Sequence, residues 1–556
     1  MLEPDKNQLA WQKKPCYINF IKNKLTKSYN LGNKMNLKRQ SGILLHPTSL
    51  PETAGIGTIG KQAYKFVDWL VSAKQSIWQI LPYGPTGYGD SPYASFSTFA
   101  GNPLLIDIDL LVESNWLTQE QANPPEWIKS EGYVDFGSVV WWKIPLLKLA
   151  AKQFLESAQN EEKAQYQVFI EKEKYWLDNY ALFMSIKEFY DQKAKEEDRF
   201  GAMWSNYWPK KLALHEESAI EEWKASHQQE IDIHKAIQFF FFTQWKNLKK
   251  YANEKGVQIV GDIPIFVAAD SADVWANQHL FQLDKKGQAK AVAGVPPDYF
   301  SATGQLWGNP LYNWKAMAKE NYAWWIARIK AMLSQVDYVR IDHFRGFEAY
   351  WSVPAGEETA VNGKWVPGPD HKLFQAIKKE LGDIPIIAED LGVITDGVAK
   401  LRDDFSLPGM KVLQFAFDVN EAGAGGCINA FLPHMYNPNC VVYTGTHDND
   451  TMQGWLNKAS EQELEIIRKY ITGGISGSDL PNEKLCPELI KLALASVAKM
   501  AVIPMQDIFA LGDEGRMNTP STTGGHNWQW RMTPEMFSPE KAIWLKEMSI
   551  LYGRNQ

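Results

Sequence analysis

The sequence predicts an α/β fold, a (β/α)8 barrel with mostly helical insertions. Three observations predict it. Eight short apolar runs, each of strand length, are spread along the chain. Helical patterns lie between most of them. Five of the eight runs end in or beside a carboxylate, and a barrel of this kind gathers its chemistry at the strand ends of one face.

The runs are "GILLH" (42–46), "IWQIL" (77–81), "VQIVGD" (257–262), "DYVRID" (337–342), "IPIIAED" (384–390), "KVLQFAF" (411–417), "VVYTGTHD" (441–448) and "AVIPMQD" (501–507). Near-continuous apolarity marks strands buried on both faces, as in a parallel sheet. "KQAYKFVDWLVSAK" (61–74) and "HKLFQAIKKELG" (371–382) read as crossover helices. Ahead of the first strand, residues 1–40 carry nine Lys/Arg against Glu3 and Asp5, with little apolar periodicity. This stretch is expected to be a disordered basic arm, with Met35 a second possible start. Residues 41–556 are expected to form one catalytic domain. From about 112 to 252 no strand pattern occurs, and a helical insertion is expected there. An aromatic loop insertion is expected at about 266–320, and a helical one at about 455–498.

Composition excludes several classes. The 556 residues are 45% hydrophobic, enough to bury a large core, and the net charge of −7 argues against nucleic acid as a partner. The longest apolar cluster, "AIQFFFFTQW" (236–245), is too short to span a bilayer, and no signal peptide opens the chain. The 4 Cys form no C-x-x-C pair. Free thiols in the cytoplasm are the expectation. The oligomeric state is not readable.

"AGIGTIGK" (54–61) spells both G-x-G-x-x-G and G-x-x-x-x-G-K. A dinucleotide site needs a strand running straight into the glycines and an acid ending the next strand. Here "HPTSLPETA" intervenes, "IWQILP" ends without an acid, and Gln62 stands where a P-loop needs Ser or Thr. The glycines are expected to serve a tight turn instead.

The acids at the strand ends are Asp262, Asp342, Glu389 with Asp390, Asp448 and Asp507. A ring of carboxylates is costly to desolvate and so is expected to serve chemistry. For Asp390 and Asp507 a helix N-cap is an equal alternative. In "YVRIDHFRGF" (338–347), Arg340 and Asp342 share a strand face, and the guanidinium should keep Asp342 ionised, as a nucleophile requires. In "PIIAEDLG" (385–392), Glu389 follows apolar residues that should raise its pKa, as a general acid requires. Two carboxyls pushed apart in pKa equip a retaining glycosidase. Asp448, beside His447, could stabilise positive charge on a sugar ring. A metal held by Asp342, His343, His447 and Asp448 is the rival reading, although none of the 10 His falls in a paired ligand spacing. Loop aromatics beside amides, as in "GPTGYGDSPYASFS" (84–97) and "GVPPDYFSATGQLWGNPLYNW" (294–314), suit a carbohydrate groove.

Longer stretches then carry a resemblance. "SGILLHPTSLP", "LPYGPTGYGDSPYASFSTFAGNP", "GVPPDYFSATGQLWGNPLY", "VRIDHFRGFEAYW", "IAEDLGVIT", "VVYTGTHDND" and "GDEGRMNTPSTT", in this order from about Ser41 to the C-terminus, resemble the 4-α-glucanotransferase (amylomaltase, disproportionating enzyme) family of the α-amylase superfamily. The resemblance implies retaining transfer of an α-1,4-glucan segment to the 4-hydroxyl of another glucan through a covalent glycosyl–Asp intermediate. It implies Asp342 as nucleophile, Glu389 as acid/base and Asp448 as transition-state stabiliser. Arg340, His343, His447, Asp262, Tyr88, Tyr299, Phe300, Gln305, Trp307 and Asn518 are implied as substrate contacts. No cofactor or catalytic metal is implied. The alternatives are an amylase-like hydrolase on the same barrel and, more remotely, a glucan-binding protein without catalysis.

Overall fold

The computed structural model describes residues 37–555 apart from 53, 88, 129–131, 298–300, 419–428, 475–479 and 523. Tyr88, Tyr299, Phe300, Met35 and the first 36 positions of the basic arm lie outside the described residues. The last four positions assigned to that arm belong to the fold. Leu37 is buried, Arg39 donates to the carbonyls of Ser496, Ala498 and Tyr552, and Gln40 opens the first strand.

Twelve strands occur among the described residues: β1 Gln40–Leu44, β2 Ile77–Gln79, β3 Gln258–Pro264, β4 Ala291–Val295, β5 Gln305–Pro310, β6 Tyr338–Asp342, β7 Ala349–Pro354, β8 Lys364–Pro367, β9 Ile386–Ala388, β10 Gly409–Val412, β11 Cys440–Tyr443 and β12 Met500–Pro504. Eight of them pair in parallel in the order β10-β11-β12-β1-β2-β3-β6-β9. The two ends of this sheet meet where the Ala388 amide donates to the Pro408 carbonyl at 2.9 Å, so the sheet is nearly closed into a barrel. All eight predicted runs supply a barrel strand, and six of the eight strands are shorter than their runs. "KVLQFAF" leaves the sheet at Val412 and turns into a 3-10 helix at Gln414–Ala416. The strand interiors β1, β2, β11 and β12 are wholly buried, which is why they read as unbroken apolar runs.

The remaining strands form an antiparallel sheet in the order β5-β4-β7-β8, lying between β3 and β9 in the chain. The sequence reading had only an aromatic loop over part of this region. Long helices Phe136–Ser157, Asn160–Glu196 and Gln228–Glu254 occupy the strandless interval. None of the described helices is long and apolar enough to cross a membrane.

Of the glycines of "AGIGTIGK", Gly55 takes the left-handed conformation of a turn (φ 80°), and Gly57 and Gly60 are spent on packing. A Cβ on Gly57 would lie 2.0 Å from the Pro47 carbonyl oxygen, and one on Gly60 only 1.8 Å from Asp107 Oδ2. Gly60 caps the helix Lys61–Ser72, and the chain's own acids face that helix end: Asp107 packs on Gly60, and Glu52 accepts from the Gln62 amide. The place that a phosphate would take at a helix N-terminus is therefore filled by carboxylates.

Candidate active site

The β3–β6 pairing sets Asp262 opposite Arg340. Opposed residues of a ladder project to the same side, so guanidinium and carboxylate meet. Arg340 Nη1 donates to Asp262 Oδ2 at 2.5 Å, and its Nη2 donates to Asp342 Oδ1 at 2.9 Å. The Tyr93 hydroxyl adds a 2.8 Å bond to the same Asp262 oxygen. Arg340 is thus shared between two acids, as its planar fork permits. Asp262 and Arg340 are almost sealed from solvent, whereas 27% of the Asp342 side chain is open to the cleft. Asp342 can meet a ligand there, while Asp262 serves to hold the arginine.

Glu389 continues the β6–β9 ladder one residue past its last strand pair. Its amide donates to the Ile341 carbonyl at 3.1 Å, which places it beside Asp342. The next link is displaced. His343 adopts a left-handed conformation (φ 53°), so Phe344 rather than His343 donates to the Glu389 carbonyl. The freed His343 amide donates instead to Glu389 Oε2 at 2.7 Å, and the Leu391 amide to Oε1 at 2.8 Å. Both carboxyl oxygens are fixed by backbone.

Burial, and then the charge of Asp342, push Glu389 up to about 8 against the pull of Arg340 and the two amides. Asp342 also rises above the usual range, because burial and the carboxylates of Asp262 and Asp448 outweigh Arg340. This corrects the expectation that Arg340 alone sets its state. Only Asp342 has the guanidinium in direct contact, so of the two adjacent carboxyls Glu389 holds the proton near neutrality. Burial drives His343 down to about 3, so it is a neutral imidazole.

The opposite wall is built from loops. Asp448, beyond the end of β11, accepts from Asn518 Nδ2 at 2.6 Å, and His447 Nε2 lies 3.4 Å from its other oxygen. The His447 ring stacks on Tyr93 with centroids 5.0 Å apart, and Trp528 packs on both rings at 5.8 Å. These rings, Asp342, Asp448 and Asn518 line one cleft of about 500 Å³, together with Gln305 and Trp307 from β5. Trp307 meets the His343 ring edge to face at 4.7 Å. The helical insertion reaches the cleft through Met203.

The structure therefore gathers Asp342, His447, Asp448, Gln305, Trp307 and Asn518 around one opening, with Arg340 and Asp262 buried behind Asp342, Glu389 beside it and His343 against Trp307. It separates off two acids. Asp390 accepts from the Met410 amide and from Arg402, tying β9 to β10. Asp507 accepts from Thr444 and from the first amide of the helix Met452–Lys458. Sequence reading missed Tyr93, although it lies in the same quoted motif as Tyr88, and Trp528, which no residue spacing singled out. Trp528 has φ 67°, a strained conformation for a bulky residue and a mark of sites held by their surroundings.

Comparison with known proteins places the chain in a family. Residues 45–537 match the family model for 4-alpha-glucanotransferase. The 4-alpha-glucanotransferase of Thermus thermophilus is 48% identical over 518 residues, covering 93% of this chain and 99% of the relative. The chloroplastic/amyloplastic enzyme of Solanum tuberosum is 43% identical, covering 93% and 87%. Among solved structures, the amylomaltase of Streptococcus agalactiae in complex with acarbose superposes with a TM-score of 0.87 at 39% identity, covering 93% of this chain and 100% of that one. The amylomaltase of Corynebacterium glutamicum shares the fold (TM-score 0.73) at 16% identity. The chain belongs to the 4-alpha-glucanotransferase family, enzymes that transfer segments of α-1,4-glucans.

Proposed function

We propose that the transfer is a double displacement with retention, carried by Asp342 and Glu389. The supporting observation is their adjacency at the ends of β6 and β9. Neighbouring strands lie about 4.8 Å apart. Retaining enzymes hold their two carboxyls about 5–5.5 Å apart, and inverting ones need roughly 6.5–9.5 Å to admit a water between. Residues bonded across one ladder step suit the shorter distance.

In this reading Glu389, protonated near neutrality, donates to the glycosidic oxygen as Asp342 attacks the anomeric carbon. The bond to the leaving glucan breaks and a glycosyl–Asp342 ester forms. Glu389, now ionised, takes the proton of the acceptor's 4-hydroxyl, whose oxygen displaces Asp342. Asp448 faces the sugar ring and stabilises the positive charge that develops on it. Arg340, His343, His447, Asp262 and Asn518 fix these groups and the bound glucosyl unit, and Gln305 and Trp307 extend the binding surface. Tyr88, Tyr299 and Phe300 remain proposed contacts on the family pattern alone. The acarbose bound to the Streptococcus agalactiae enzyme supports assigning malto-oligosaccharides and related ligands to this cleft.

The test is incubation with pure maltotriose and separation of products by chain length. Longer malto-oligosaccharides with free glucose are expected. Glucose and maltose without longer chains would make water the acceptor and the enzyme a hydrolase. Trapping the glycosyl ester on Asp342 with a fluorinated donor, followed by peptide mass analysis, tests the nucleophile itself.

A further inference from the structure

The Asp448–Asn518 pair joins two loops that are 70 residues apart in sequence, and neither side chain is anchored by a barrel strand. Something else must fix their separation. One guanidinium bridges both backbones. Arg516 Nε donates to the Asn518 carbonyl at 2.8 Å, and Arg516 Nη2 donates to the Asp448 carbonyl at 3.0 Å. Its third nitrogen, Nη1, lies 3.9 Å from Asp450 Oδ2, and that carboxylate is itself held by Lys458 at 2.7 Å. Arg516 follows the 3-10 turn Asp513–Gly515 and is seated by its amide on the Asp513 carbonyl at 3.0 Å.

We infer that Arg516 is a positioning residue for the Asp448 carboxylate. Its fork grips carbonyls and leaves the Asp448 carboxyl oxygens to Asn518, His447 and the ligand. The arginine therefore sets where the negative charge sits without pairing with it. A lysine could bring the charge but not two donors at a fixed angle. Because Asp448 acts on charge that exists only in the transition state, a misplaced carboxylate should slow turnover and leave ground-state binding nearly intact. The inference rests on the proposed role of Asp448, so the experiment includes that residue.

Arg516→Ala, Arg516→Lys and Asp448→Asn are compared with the parent enzyme in maltotriose disproportionation, with near-UV circular dichroism to confirm native packing. Expected is a fall in kcat of about a hundredfold for Arg516→Ala with KM within about threefold, and only partial recovery in Arg516→Lys. The Arg516 side chain is 26% exposed, so solvent reaches the site, and added guanidinium ion should restore part of the Arg516→Ala rate. A kcat within threefold of the parent, or equal losses with no rescue by guanidinium, overturns the inference. If Arg516→Ala does not fold, Arg516→Lys decides alone: parent-like kcat overturns the inference, and reduced kcat with unchanged KM supports it. If Asp448→Asn is itself active, the assigned role of Asp448 fails first. If Asp448→Asn is dead and Arg516→Ala is normal, only the role of Arg516 fails.

Discussion

The two walls of the cleft solve the same problem by different means. On one wall the acids ride on adjacent barrel strands, and Asp262 and Arg340 are shielded almost completely from solvent. On the other wall Asp448 stands on a loop with 46% of its side chain exposed, and its donor Asn518 comes from a second loop. Backbone ladders fix the first wall, so its geometry is inherited from the fold. Side-chain bonds between loops fix the second. Damage to the strand wall should therefore cost stability as well as rate, and damage to the loop wall should cost rate alone.

The largest expected effect sits on the strand wall. Asp342→Asn removes the attacking oxygen and should lower kcat by about 10⁴-fold or more, while maltotriose binding measured by calorimetry persists. Residual turnover within a hundredfold of the parent would break the assignment. Asp262→Asn comes next and sharpens the contrast. It leaves Arg340 buried with one partner instead of two, so a loss of about 3–5 kcal/mol in unfolding free energy is expected beside a large fall in kcat. Denaturant titration measures the first and steady-state rates the second. Asn518→Ala, on the loop wall, should cost about tenfold to a hundredfold in kcat yet move Tm by less than about 2 °C. A Tm loss matching that of Asp262→Asn would erase the distinction between the walls.

The same contrast governs what could be read from the sequence. The barrel strands were legible because burial on both faces demands unbroken apolarity, as in "CVVY" of β11 and "MAVIP" of β12. The antiparallel sheet was not. Its strands "QLWGNP" and "KWVP" are half-exposed and carry Gly and Pro, and β4 finds its partner β7 some sixty residues away, with Gly294 against Trp351. Arg340 and Asp342 could be paired from a spacing of two, because a strand makes that spacing a contact. The Asp448–Asn518 contact follows from no local period; the family resemblance named each residue separately but not the bond between them. The bridging Arg516 came from neither. Burial was the other hidden quantity: the motif shows that Asp342 neighbours Arg340, but not that desolvation outweighs the guanidinium.

The last expected effect concerns Glu389, whose raised pKa links catalysis to stability. In the unfolded chain a glutamate titrates near 4.3, and in the cleft burial and Asp342 carry Glu389 to about 8. Between these values the folded state binds more protons than the unfolded state. Stability therefore falls as pH rises through this window, and the contribution is fully lost above about 8. The acid that transfer needs is the protonated form, so the basic limb of kcat/KM should fall at about the same pH. Glu389→Gln removes the titration but sets an NH2 group against one of the two backbone amides, His343 or Leu391, that the carboxylate accepts from. It should abolish most turnover and lower Tm, by less at pH 8.5 than at pH 5, because the ionised glutamate it replaces is itself less stabilising at the higher pH. Calorimetric scans at the two pH values measure the difference. An equal loss at both would mean that the glutamate is ionised throughout the range, and that Arg340 and the two backbone amides hold Glu389 lower than its burial and Asp342 would place it.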